Sequence, residues 1–300
     1  MLDLATKLMV FTLLLGGNSY GYEIIAFHGL NQSLRADAQP GPHDCTAQMV
    51  NKEDHRYIEN TLPSLAEAFQ LGATIGHFNI RRTADDKLVA FHDEDLSCRT
   101  NGQGTLKKSQ LEYLKTLDVG FGYSPDKGLT FPTRGLGEGL MPTFEEIVAT
   151  FPDRQFAIND KDADTKMVQI FLLSLSGLPL RVRQNIIYLG EAAEEIKSRF
   201  PEIQTVGTRK QHTTCIEWWL ALGWTGYIHP SCKNTIIALP IKYAHKLSWV
   251  LRSFIDDLHS ENSKFWIWDV NSPEDAKFAK SINPDAIGTY RIDKTIDVLK

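Results

Sequence analysis

About eight times along this chain, a short apolar run of strand length gives way to a longer stretch with helical periodicity. "YEIIAF" (22–27) opens the series. The segment "GATIGHFNIRRTADDKLVAFHDEDLSCRTNGQG" (72–104) reads as strand, tight turn, strand and loop. Further strands are expected at 155–160, 185–190, 203–208, 226–230, 264–271 and 284–290. Strands that alternate with helices in this way pair in parallel and are covered by the helices between them. No linker, repeat or break in composition divides the 300 residues, so one (β/α)8 TIM barrel over 22–300 is the expected architecture. A doubly wound sheet is the alternative, disfavoured because no glycine-rich turn follows the first strand.

Other elements frame the series. A polar loop runs from the first strand to about residue 56, and a helix begins in "ENTLPSLAEAFQLG" with Thr61 as cap and Pro63 in its first turn. "KKSQLEYLKTL" (107–117) is read as helix, and 118–140 as a glycine- and proline-rich exposed excursion. Thr143 and Glu146 have the spacing of a capping box. "EWWLALGW" is apolar but too short to span a bilayer, and is expected to pack on the barrel.

The first 21 residues resemble an export signal, with Lys7, an apolar run Leu8–Leu15, and Ser19 and Gly21 before an expected cleavage at Tyr22. A segment capping the barrel is the other reading of that stretch. Four cysteines without C-x-x-C spacing suit two disulfides in an oxidising compartment, so a secreted or periplasmic location is expected. Of three pairings, Cys45–Cys98 with Cys215–Cys232 joins nearest neighbours. Net charge is −5 and no basic block is present, which argues against nucleic acid but leaves a phosphate-bearing ligand open. No transmembrane segment is expected once the leader is removed.

In a barrel of this kind, chemistry gathers at the C-terminal strand ends. Those ends carry Phe27-His28-Gly29, then His77 and Asn79 on one strand face, then His92-Asp93. Asn159-Asp160-Lys161 and Trp268-Asp269-Val270-Asn271 complete the set. Histidines, amides and a lysine at one mouth make a polar pocket suited to an anion. Each residue also has a plain structural reading, such as Glu59 favouring a helix N-terminus or Asp93 orienting His92.

The segments "YIENT" (57–61), "TADD" (83–86), "AFHDEDLSCRTNGQG" (90–104), "WDVN" (268–271) and "DAIGTY" (285–290) together resemble the glycerophosphodiester phosphodiesterase family, in a secreted bacterial branch. The resemblance implies a barrel of the phospholipase-C-like phosphodiesterase type. It also implies cleavage of glycerol phosphodiesters or phospholipid head groups by two histidines and a divalent metal, Mg²⁺ or Ca²⁺. Carried over position by position, His92 matches the family's second histidine. Lys161 matches a phosphate-binding lysine, and Trp268 an aromatic residue lining the pocket. The family's His-Arg-Gly is Phe27-His28-Gly29 here, so His28 is the nearest imidazole to the missing first histidine.

His77, Asn79 and Asn159 occupy the metal-ligand positions, with the Glu-x-Asp pair replaced by His77-x-Asn79; Glu59 is a further candidate ligand. Neutral amide and imidazole are poor ligands for hard cations, so metal-assisted hydrolysis is expected to be impaired or lost. The alternative is a pseudoenzyme that binds a phosphodiester or lipid head group without turnover. A softer ion such as Zn²⁺ on His28, His77 and His92 is a third option.

Overall fold

The computed structural model describes residues 21–35, 38, 44–52, 55–162 and 164–300. Apart from Gly21, the leader reading lies outside the described residues. Nine strands form one sheet: β1 (Glu23–Ala26), β2 (Ile75–Arg82), β3 (Leu88–Ala90), β4 (Gln155–Asp160), β5 (Ile186–Leu189), β6 (Gln204–Val206), β7 (Ile236–Pro240), β8 (Lys264–Trp268) and β9 (Ala286–Thr289). All but β3 pair in parallel, and β1 hydrogen-bonds to both β9 and β2, which closes an eight-stranded barrel.

Alternate residues of each stave serve two cores. Ile25, Ile75, Ala157, Ile187 and Trp266 fill the barrel interior. Ile24, Phe78, Ile158, Ile237 and Ile267 pack outward beneath the helices. Burial on both faces is why the staves read as continuous apolar runs. The helix Leu62–Leu71 starts where expected, with Thr61 Oγ1 accepting the Ser64 amide, and the Thr143–Glu146 capping box is formed.

The strand, tight turn and strand read in 72–104 form a hairpin: β3 runs antiparallel to the end of β2, with Ile80 opposite Ala90, and so returns the chain to the mouth. Three sequence expectations are corrected. The strand placed at 226–230 is absent there, because Gly226 takes a left-handed turn and Pro230 opens a 3-10 turn; the stave is Ile236–Pro240. The single helix at 107–117 is a 3-10 turn, Leu106–Lys108, and a short helix, Leu111–Leu114. Finally, 118–140 is no exposed ornament. Val119 and Tyr123 enter a second core with Ala47, Val50, Leu96 and Leu106, built against one side of the mouth.

Both disulfides form in the nearest-neighbour pairing, Cys45–Cys98 and Cys215–Cys232. The first ties the loop after β1 to the loop after β3 across a separation of 53 residues, the second across 17. On the chain-entropy scale these closures stabilise by about 4 and about 3 kcal/mol respectively. No helix among the described residues is long and apolar enough to cross a membrane.

Candidate active site

β1 ends at Ala26, and the chain then breaks from extended geometry. His28 has φ 60° and Gly29 φ 79°. A left-handed non-glycine residue costs about 1–2 kcal/mol. Here the turn is held because the His28 carbonyl accepts both the Asn60 amide (2.9 Å) and Ser64 Oγ (2.9 Å). Gly29 lies so close to this helix start that a Cβ would sit 2.0 Å from Ser64 Oγ. The turn lets two successive side chains serve the mouth. Phe27 points into the barrel, 4.6 Å from the His77 ring and 5.2 Å from Tyr290, in space that a side chain at Gly288 would fill. His28 faces the cleft.

That cleft holds about 570 Å³. His28, Glu59, His92, Arg99, Tyr123, Asp269 and Tyr290 are among its lining residues. Two imidazole–carboxylate pairs sit side by side. His28 Nδ1 is 2.8 Å from Glu59 Oε2 and His92 Nδ1 is 2.7 Å from Asp93 Oδ1, with ring centres 5.4 Å apart. Arg99 joins them from behind, its Nη1 2.6 Å from Glu59 and its Nε 2.9 Å from Asp93. Tyr123 donates to Glu59 (2.7 Å), and Arg99 Nη2 donates to Thr46 (2.8 Å).

The electrostatics follow from this wiring. Burial opposes charge on Glu59, but Arg99 and His28 overcome it and hold the carboxyl well below its usual range. Asp93 is lowered too, with its bond to His92 and the Arg99 charge outweighing burial. Burial, with Arg99, Lys161 and His28 nearby, lowers His92 to about 4 despite its bond to Asp93. Burial, aided by His28 and Lys161, also keeps His77 neutral, well below the ordinary histidine value.

His77 and Asn79 share the inner face of β2 as their spacing requires, but they are sealed from the cleft. They are 1% and 0% exposed, with Phe27 and His28 packed over the His77 ring. His77 Nε2 and Asn79 Oδ1 have no hydrogen-bond partner among the described residues. Asn159 lies beside Asn79 in register, half-buried. Lys161 follows β4 with no side-chain partner among the described residues, close enough to bias both His77 and His92. Trp268 stands 6.1 Å from Phe27 in the barrel interior rather than in the cleft lining. The structure thus brings His28, His92 and Glu59 together at the cleft and places His77 and Asn79 beneath it. Sequence reasoning missed Arg99 as the link and Tyr123 as a wall residue; Arg99 sat in the quoted Arg-Thr loop, whereas Tyr123 carried no signal.

The glycerophosphoryl diester phosphodiesterase family model matches residues 53–171, which include the helix start, β2, the His92 loop and β4. Over these residues the chain carries this family's domain. A curated glycerophosphodiester phosphodiesterase of Caldanaerobacter subterraneus is 34% identical over 115 residues, 38% of this chain and 44% of that protein. One from Bacillus subtilis is 32% identical over 111 residues, 36% of each. The aligned segments therefore span less than half of these relatives. Among solved structures, the glycerophosphodiester phosphodiesterase of Agrobacterium tumefaciens has a TM-score of 0.62 at 18% identity, covering 92% of this chain and 98% of that one. An Oleispira antarctica phosphodiesterase in complex with the product sn-glycerol-3-phosphate has a TM-score of 0.58 at 18% identity, covering 92% and 96%. Likeness at that identity shows the fold.

The divalent metal expected of a glycerophosphodiester phosphodiesterase does not fit these residues. A hard cation needs anionic oxygens. The paired ligand positions are an imidazole and an amide closed off from the cleft, and Glu59 is engaged by Arg99, His28 and Tyr123. The Zn²⁺ option fares no better. His77 Nδ1 is turned to the His28 amide, and among the described residues no three His, Cys, Asp or Glu are placed to hold an ion.

The same charges set the response to acid. An unfolded histidine takes up its proton near 6.5, whereas His92 refuses it until about 4 and His77 until well below the ordinary value. The unfolded chain then binds more protons, so stability falls as pH drops from about 6.5 toward 4. Glu59 and Asp93, with depressed values, stabilise the fold above the normal carboxylate range, and that contribution is lost as pH falls through their lowered values. Urea midpoints recorded from pH 7 to 4 should decline throughout and decline less steeply in His77→Gln. A flat profile would contradict the assigned burial.

Proposed function

We propose that this chain recognises a glycerophosphodiester or a phospholipid head group in the His28/His92 cleft, and that metal-assisted hydrolysis is impaired or lost. One observation carries the reading: the two metal-ligand positions are neutral and buried, with Phe27 and His28 packed over the His77 ring. The cleft itself is retained, at a volume suited to a small ligand. Lys161, outside the lining but close enough to interact electrostatically with Glu59 and Asp93, supplies a cation with no hydrogen-bonded acidic partner among the described residues. The two disulfides fit a secreted or periplasmic setting, where such head groups would be met.

Calorimetric titration with sn-glycerol 3-phosphate tests the reading. Binding is expected at equal strength in Mg²⁺, in Ca²⁺ and in chelator, and is expected to weaken about tenfold in Lys161→Met. Binding that requires a divalent ion, or no binding by the folded protein, would refute it.

A further inference from the structure

We propose that the outer face of the segment after β7, built from Lys242, Tyr243, Lys246 and Trp249, docks this protein onto an anionic phospholipid bilayer. The inference rests on the head-group reading of the cleft and selects its source, a lipid held in a membrane rather than a free glycerophosphodiester.

The face begins at the mouth end of the barrel, because the helix Ile241–Lys246 starts directly where β7 ends. Leu247 N donates to the Tyr243 carbonyl and Leu251 N to the Leu247 carbonyl, so a helical path carries on into the helix Leu251–Ser260. Lys242, Lys246 and Trp249 therefore recur at the spacing of one helix face. Ile241, Ala244, Leu251 and Phe254 are buried on the other side. The ammonium groups of Lys242 and Lys246 stand 5.0 and 5.8 Å from the centre of the Tyr243 ring. Tyr243 is nearly half exposed, and Trp249 is 80% exposed.

The same segment adjoins the cleft. His245 Nε2 is 2.9 Å from Asp275, a lining residue, and its ring stacks on Phe278 with centres 4.1 Å apart. Lys242 stands close enough to act electrostatically on Asp269, another lining residue. A surface that engaged this face would meet the edge of the cleft as well.

Charge chooses the occupant. The run 241–249 contains no acidic residue, and exposed Arg252 adds a cation before the first acid at Asp256. A locally positive face in a chain of net charge −5 complements anionic head groups. Its aromatic residues suit the same partner. Tryptophan and tyrosine settle at head-group depth, while lysine stems lie along apolar material and extend their ammonium groups to lipid phosphates. Trp224 supplies the contrast. It is 84% exposed, but the only formal charge in 217–232 is that of Glu217, so it lacks the cations that would bring it to an anionic surface.

The test is sedimentation of the full chain with vesicles of equimolar phosphatidylglycerol and phosphatidylcholine. Pure phosphatidylcholine vesicles and titrations with sn-glycerol 3-phosphate run alongside. Binding is expected to the mixed vesicles, less to the neutral ones, and to fall as salt is raised. Trp249→Ser is expected to weaken it about tenfold. Lys242→Gln and Lys246→Gln are expected to cost about fivefold for each charge removed. Glycerol 3-phosphate affinity and Tm are expected to stay unchanged in all three, and Trp224→Ser to alter nothing. No binding to mixed vesicles by the folded protein, or equal binding to both kinds of vesicle, overturns the inference. So does binding retained in the Trp249 and lysine variants, or a loss in Trp224→Ser as large as in Trp249→Ser. Self-association abolished by the same variants, without vesicle binding, assigns the face to a second copy of the chain and overturns it too. Vesicle binding by a protein that ignores glycerol 3-phosphate removes the head-group reading and leaves the docking face standing.

Discussion

Arg99→Met is expected to destabilise the protein by about 3–5 kcal/mol, a fall in Tm of about 5–8 °C for a chain of this length. Arg99 is buried and meets two carboxylates, a phenol and the Thr46 hydroxyl, which lies one residue after Cys45. The loss comes mainly from the carboxylates left behind. Glu59 would remain buried with its principal counter-charge removed, and such an uncompensated charge is expensive at low dielectric. Adding Glu59→Gln should therefore recover part of the loss, so that the double variant melts above Arg99→Met alone. A single-variant shift under about 2 °C would mean that the network is solvated in solution and contributes little.

The second large effect is a gain. Phe27→His, His28→Arg, His77→Glu and Asn79→Asp together restore the family's pattern at four of the positions where this chain departs from it, Asn159 being left as it is. In the absence of metal the variant should be less stable than wild type, because two like charges are placed where the barrel now holds neutral groups. Adding Ca²⁺ or Mg²⁺ should then raise Tm in the variant and leave wild type unmoved, by about 2.7 kcal/mol of stabilisation at a hundred times Kd. Metal-dependent release of glycerol phosphate should rise by about 10²- to 10⁴-fold over the wild-type chain in the same ion. A melting shift without turnover would locate the remaining defect outside these positions. No shift at all would mean that the scaffold around β2 no longer admits an ion.

The barrel was legible because its staves are buried on both faces and therefore announce themselves as apolar runs. Legibility failed where a proline or glycine blurred an edge. Pro240 ends β7 and precedes the next helix in the same breath, so "TIIALPIKYA" reads as one run and the preceding "GYIHP" as the strand. β3 was legible as the second strand of a hairpin, because a tight turn joins it to β2. At the site, alternation predicts that Phe27 and His28 point to opposite faces. Both serve the mouth because His28 lies beyond the strand in a left-handed turn, where the two-residue period no longer applies. Motif spacing located His28, Glu59 and His92. The bridge through Arg99 depends on three loops, two of them joined by Cys45–Cys98, and no local pattern encodes such a meeting.

Phe27 and Gly288 also constrain the order in which this sequence could change. A methyl group at 288 would lie 2.2 Å from the Phe27 ring, so the ring would have to shift to admit it. While phenylalanine stands at 27, the adjoining stave is confined to glycine at this point; once 27 becomes smaller, 288 is free to vary. A lineage returning toward the family's usual first histidine must therefore pass through position 27 before 288 can diversify, whereas one that diversified 288 first would have closed off the route by which phenylalanine arrived. The ring that covers the old ligand positions thus acts as a latch on descent, and the sequence of steps matters as much as their sum.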